Sequence, residues 1–307
     1  MRYLYLQDSH IKGKNGVHRL GDYFSDVLLK LDEILSIAKE NNCEAIIDGG
    51  DFLETASPSY IILDEIADRI EKFGIPMYSL LGNHAMRFGH IENSRYVGLS
   101  HLQKRSKLFH PMSDLKMDNT ELIAIEYNYG IEEKLKENGV IFKSADKWKL
   151  AIIHALVMPK KFLDTVLHVT PKQIKTNGDL LLIAHYHHPY EIKVKDSLFL
   201  NIGCTGRNSV TEYNIHPSVL LLDTDKRTHE IIELKSAKPG EEVFNLEKVE
   251  LKKEFKQNID VFIQSLESTD FQGLSISGMI TDLAKQKNVE KEVVELIQNK
   301  ISEVNNV

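Results

Sequence analysis

The chain has 307 residues, 42% of them hydrophobic and 27% charged, an ordinary globular composition that can bury a core without disulfide or metal staples. Its net charge of −7 excludes coating of nucleic acid by bulk positive charge, though not a local grip on phosphates. Cys43 and Cys204 form no spacing pattern, no apolar run approaches the ~20 residues of a membrane span, and the first ten residues turn polar too early for a signal peptide. A cytoplasmic protein with free thiols and no membrane partner is therefore expected.

Short apolar runs recur at residues 3–6, 45–47, 77–81, 122–125, 150–153, 180–183, 198–200, 219–222 and 230–234, and their length and branching suit buried strands. Two helical stretches separate the first three. Residues 24–39 place Val27, Leu28, Leu31, Ile34, Leu35 and Ala38 on one face; residues 60–73 do the same with Ile61, Ile62, Ile66, Ala67 and Ile70. The first half therefore reads β-α-β-α-β, which favours parallel pairing with right-handed crossovers. Ligands in such sheets bind at the carboxyl ends of the strands. A lysine-rich stretch over residues 101–175 reads as a solvated face. Ala237-Lys238-Pro239-Gly240 reads as a boundary between a large domain at 1–236 and a helical, acidic region at 237–307.

The residues that carry chemistry fall at the predicted strand ends. Asp8 and His10 follow the first run at i, i+2, which in an extended segment points both side chains to one side. Gly49-Gly50-Asp51 follows the second run and Gly82-Asn83-His84 the third. His154 ends the run at 150–153, and His185 and His187 follow 180–183, again at i, i+2; His188 would point the other way. A lone histidine at a strand end is ordinarily a polar cap, but all of these in this order point to a metal site. Mixed carboxylate and imidazole suits manganese, zinc or iron better than a calcium cage. Asp8, His10, Asp51, Asn83, His154, His185 and His187 exceed what one tetrahedral ion uses. They suit two divalent cations ~3.5–4 Å apart, bridged by a carboxylate.

The order Asp-x-His, Gly-Asp, Gly-Asn-His, His, His-x-His resembles the calcineurin-like metallophosphoesterase superfamily over about residues 1–225, as far as the strand and loop Leu198-Phe199-Leu200-Asn201-Ile202-Gly203 and Arg207. Within it the chain looks like the DNA-repair nucleases of the SbcD type (the Mre-eleven family). The resemblance implies an α/β fold, a calcineurin-like phosphoesterase sandwich of two mixed β-sheets flanked by helices, here with a small helical C-terminal region. It implies a two-metal phosphodiester hydrolase, a manganese-dependent DNA exo- or endonuclease of repair or recombination. The alternatives are a phosphatase or phosphodiesterase acting on a small molecule or phosphoprotein, and a silent scaffold, against which the complete ligand set argues. Asp8, His10 and His187 would hold one metal, Asn83, His154 and His185 the other, with Asp51 between them and His84 a catalytic non-ligand facing the scissile phosphate. DNA, a homodimer and an SMC-like ATPase of the SbcC type are the implied partners. Helical stripes through Leu251, Phe255, Ile259, Phe262 and Leu266, and through Val289, Val293, Ile297 and Ile301, could dock that ATPase or fold on the rest of the chain. Three positions depart from the family pattern: Ala85 after Gly-Asn-His, Ala184 before His185, and the loop Asn201-Ile202-Gly203-Cys204. Ala85 bears on how His84 is oriented, and Cys204 reads as a buried structural thiol.

Overall fold

Strand β1 (Arg2–Leu6) is buried on both faces, and the fold is built outward from it. The computed structural model describes residues 1–16, 18–86, 97–162 and 166–246. β1 pairs in parallel with β2 (Ala45–Asp48), which pairs in parallel with β3 (Met77–Ser79), and that with β4 (Phe109–Pro111). On its other side β1 pairs antiparallel with β10 (Ser218–Asp223), which carries the edge strand β11 (Thr228–Glu233). The order of this sheet among the described residues is β11-β10-β1-β2-β3-β4. A second sheet joins β5 (Thr120–Ile125), β6 (Trp148–His154), β7 (Leu180–Ala184) and β9 (Ser197–Asn201) in parallel, with β8 (Tyr190–Val194) antiparallel at its edge.

The period-two alternation of strand side chains decides what lies where. Tyr3 and Tyr5 face a core shared with Ile152, Leu182 and Leu200 of the second sheet, so this cluster lies between the sheets. Leu4 and Leu6 face the opposite way, into a core with α1 (Tyr23–Glu40) and α2 (Tyr60–Phe73). The far face of the second sheet, through Ile153, Ile183 and Phe199, is covered by α4 (Ile131–Asn138) with Ile131 and Leu135. The result is the expected α/β sandwich of two mixed sheets flanked by helices.

Both long helices lie where the periodicity placed them. Asp22 caps α1 by accepting from the Phe24 amide, and Gly74 ends α2 in the left-handed conformation at φ 74°. One assignment on α2 is corrected: Ile61 is 72% exposed, and Leu63 is buried in its place. At 100° per residue, 62, 63, 66, 67 and 70 make a continuous stripe that leaves 61 outside. β4, β8, α3 (Gly98–Arg105) and α4 were not anticipated; they are short, and β8 alternates exposed and half-buried residues at an edge. Met1–Phe244 form one compact unit, which includes α5 (Gly240–Val243). The stripes expected between 251 and 301 lie outside the described residues. No helix among the described residues is long and apolar enough to cross a membrane.

Candidate metal centre

The site gathers at the carboxyl ends of strands from both sheets. Asp8 and His10 follow β1, Asp51 follows β2 and Asn83 and His84 follow β3; His154 ends β6, and His185 and His187 follow β7. The backbone that carries them is not the extended chain expected from i, i+2 spacing. Asp8, His10, Asp51 and His185 all have positive φ, at 50°, 46°, 52° and 84°. Such left-handed backbone costs a non-glycine residue about 1–3 kcal/mol, and Asp and His are among the side chains that tolerate it best. Hydrogen bonds between the two post-strand segments hold it in place: the Asp8 amide donates to Gly50 O at 3.1 Å and the His10 amide to Asp51 O at 2.9 Å. Two glycines permit the close approach. A Cβ on Gly50, at φ 112°, would collide with the His154 imidazole, and one on Gly82 with the Asp51 carboxylate.

Seven of the eight predicted residues form two groups that meet at Asp51; His84 stands beside them. In the first group, His10 Nε2 lies 3.0 Å from His187 Nε2, and Asp8 Oδ1 lies 4.0 Å from His187 Nε2. In the second, His154 Nε2 lies 3.2 Å from Asp51 Oδ2 and 3.1 Å from Asn83 Oδ1, and the His154 and His185 ring centroids are 5.2 Å apart. Asp51 Oδ2 also lies 4.0 Å from His10 Nε2, so this one carboxylate faces both groups. Ligand atoms of Asp8, His10 and His187, and of Asp51, His154 and His185, lie within 4.8 Å of one another in each set.

The donor chemistry fits cations. His10 Nδ1 faces the Glu54 carboxylate at 2.8 Å and His187 Nδ1 faces the Glu212 carboxylate at 2.5 Å. Carboxylates only accept, so each Nδ1 carries the proton. The two Nε2 atoms then lie 3.0 Å apart, an arrangement that asks for positive charge between them, a shared proton or a cation. His154 repeats the pattern: its Nδ1 donates to Gly49 O at 3.0 Å, and its Nε2 faces two acceptors, Asp51 and Asn83. Among the described residues the buried His185 Nδ1 has no hydrogen-bond partner. Titration reports the same demand. Burial disfavours a charged His154, yet the Asp51 carboxylate outweighs it and holds the imidazole up to about 9. Burial, reinforced by neighbouring His154, pushes His185 down to about 3, so it stays neutral. Burial opposes the Asp51 charge, but His154 above all holds its carboxyl well below the usual range.

His84 is oriented without the acidic neighbour that Ala85 replaces. Its ring Nδ1 donates to the Glu54 carbonyl at 2.8 Å, its amide donates to Asp51 Oδ1 at 2.9 Å, and its ring stands edge-on to His10 at 4.7 Å. Among the described residues nothing is hydrogen-bonded to Nε2, on a side chain 37% exposed. A ligand atom of His84 also lies within 4.8 Å of those of His10 and Asp51.

Sequence reading missed Glu54 and Glu212, the carboxylates behind His10 and His187. Glu54 is also bonded by Lys12 at 3.2 Å and Asn208 at 3.0 Å, and Glu212 caps a short turn by accepting from the Ser209 amide at 2.8 Å. No spacing signal marked either one, because Glu212 reaches His187 from a loop 25 residues on. Cys204 is buried, burial pushes its thiol well up, and it lies beside His187 and Glu212.

Residues 2–194 match a family model described as calcineurin-like phosphoesterase. Over 225 residues the chain is 24% identical to the DNA double-strand break repair protein Mre11 of Methanosarcina mazei, a match spanning 69% of this chain and 34% of that protein. The chain thus spans about a third of the length of this curated relative. Solved structures similar to it include a novel archaeal phosphodiesterase (16% identity, 76% of this chain and 100% of the other, TM-score 0.42). A dimetal phosphatase from Danio rerio is another (9% identity, 76% and 99%, TM-score 0.46).

Proposed function

The chain belongs to the calcineurin-like phosphoesterase family, and from that premise we propose that this metal-dependent phosphoesterase is a DNA nuclease of the SbcD type. The observation that carries the chemical reading is the meeting of two sets of inward-facing lone pairs at Asp51. In this reading Asp8, His10 and His187 hold one divalent cation, Asn83, His154 and His185 hold the other, and Asp51 serves both. When bound, two such cations, manganese in this proposal, neutralise phosphoryl oxygens and acidify the attacking water.

The residues do the rest. Glu54, Glu212 and the Gly49 carbonyl hold the proton on three Nδ1 atoms, so the three Nε2 atoms face inward and would give their lone pairs to bound cations. His84, tethered at Nδ1 beside His10 and Asp51, has Nε2 with which to hydrogen-bond a phosphoryl oxygen and protonate the leaving oxygen. The half-exposed Tyr127 ring lies 5.8 Å from His185 and forms part of the wall.

Support for DNA as substrate is the match to a double-strand break repair protein and the motif resemblance. A role in repair or recombination, a homodimer, an SbcC-type ATPase partner and a cytoplasmic location are proposed on the same ground. The test is a manganese-dependent assay on linear duplex DNA, single-stranded DNA and a small chromogenic phosphodiester, repeated across a salt series. A nuclease cleaves DNA with affinity that falls steeply with salt, because phosphate contacts release counterions. A flat salt response with brisk cleavage of the small diester would overturn the nuclease reading in favour of a small-molecule phosphodiesterase.

A further inference from the structure

Gln7 lies immediately after β1 and immediately before Asp8, with no exposed surface. An amide buried there must find partners for its donors and acceptor, and its neighbours permit one orientation. The Asp8 carboxylate only accepts, so the Gln7 Nε2 faces it, at 3.1 Å from Asp8 Oδ2. Nε2 makes a second bond at 3.2 Å to Asn201 Oδ1. Oε1 is then left to accept from the Tyr5 hydroxyl at 2.9 Å. Tyr5, Gln7, Asp8 and Asn201 are all 0–1% exposed, so no water competes for these bonds.

Two consequences meet at the metal centre. The His185 amide reaches both Asp8 oxygens, Oδ2 at 3.1 Å and Oδ1 at 3.3 Å, whereas Gln7 Nε2 bonds Oδ2 alone, and Oδ1 is the oxygen that faces His187. The Gln7 amide thus distinguishes the oxygen that is presented. Asn201 in turn accepts from the Gly203 amide at 2.7 Å and donates through Nδ2 to the carbonyl of Tyr186. Tyr186 is the residue between His185 and His187. One buried amide therefore ties the Asp8 carboxylate to the His-x-His turn, two segments 177 residues apart in the chain. In the second group His154 is held differently, by Gly49 O, and the Asp51 carboxylate by the His84 amide, while His185 alone shares the Gln7 network through its amide on Asp8.

We infer that Gln7 is a positioning residue of the metal centre: hydrogen-bonded by Tyr5, its amide orients Asp8 and registers it against the His185–His187 turn. The cation held by Asp8, His10 and His187 depends on Gln7 far more than the one held by Asn83, His154 and His185. This rests on the two-metal reading above. Gln7→Glu keeps the volume and sets a carboxyl group against Asp8. Gln7→Leu leaves Asp8 Oδ2 with a single donor and strands the Tyr5 hydroxyl. Tyr5→Phe frees the amide to turn without touching Asp8.

The experiment is calorimetric titration of Mn2+ into the full chain and into each variant, with melting curves of the metal-free proteins alongside. The unsubstituted protein should show two binding events. In Gln7→Glu and Gln7→Leu one event weakens by about 10–100-fold, the usual effect of losing a ligand's hydrogen-bond partner, and the other holds within about threefold. Tyr5→Phe loses a smaller factor on the same event. Should Gln7→Leu fail to fold, the isosteric Gln7→Glu decides. Two native affinities in a folded variant overturn the inference, and so does an equal loss from both events, which marks a merely structural role. If the unsubstituted protein binds no Mn2+, the two-metal reading itself falls and takes this inference with it.

Discussion

Lys30 is a buried cation that no carboxylate among the described residues neutralises. It sits on α1 with 2% of its surface exposed, and its Nζ donates to the carbonyls of Thr205 and, at 3.0 Å, Gly206. The charged groups around it are Arg207 and Arg19, and the one nearby carboxylate, Asp26, is taken by Arg19 at 2.9 Å and Lys238 at 2.7 Å. Burial first, then the two guanidinium groups, lower its pKa from 10.5 to about 7. The folded protein thus releases a proton that the unfolded chain keeps between about pH 7 and about pH 10.5, so stability rises with pH across that window. The full difference is about 5 kcal/mol at ~1.4 kcal/mol per pH unit. It is complete above about pH 10.5 and lost as pH falls to about 7.

Lys30→Met removes this titration, and urea denaturation of both proteins at matched pH isolates it. The stability of the unsubstituted protein minus that of Lys30→Met should grow by about 2–3 kcal/mol from about pH 7.5 to about pH 9.5. Its offset at neutral pH combines relief of the buried charge with two carbonyls left unbonded, each costing about 1–3 kcal/mol. A difference that stays flat with pH would refute the reasoning and show that Lys30 holds a stable charge in the folded state. The loop it holds matters to the site, because the Thr205 and Gly206 amides bond Gln7 O and Asp8 O, both at 3.1 Å.

Asp51→Asn should lower loading of both cations and abolish hydrolysis, as elemental analysis with an activity assay would reveal; full metal content with near-normal turnover would remove Asp51 from its shared position. His84→Gln should keep metal content while kcat falls about 10²–10⁴-fold, the range for a general acid–base group; loss of a metal would make His84 a ligand. Ile152→Ala, fully buried between the sheets, should cost about 2–5 kcal/mol in urea denaturation. A cost below about 1 kcal/mol would mean that the intersheet core repacks around the cavity.

The elements whose pattern is local can be read from the order of residues. The α1 face, the buried run at residues 3–6, and the placement of Asp8, Asp51, Asn83, His154, His185 and His187 at strand ends all follow from short-range pattern. Tertiary structure alone decided what depends on distant segments meeting. The i, i+2 spacing of Asp8 and His10 suggested extended backbone, but bonds to Gly50 and Asp51 force both residues to positive φ. Ala85 removed the neighbour expected to orient His84, and the Glu54 carbonyl, 30 residues away, takes its place. Glu54 and Glu212 look like ordinary surface acids in the sequence, because a hydrogen bond to an imidazole leaves no periodic trace. Lys30 reads as one more polar residue of an amphipathic helix, and only packing against the loop at Thr205 and Gly206 buries its charge. Ligand types are written where strands end; the partners that orient them come from loops whose approach is set by how the two sheets pack.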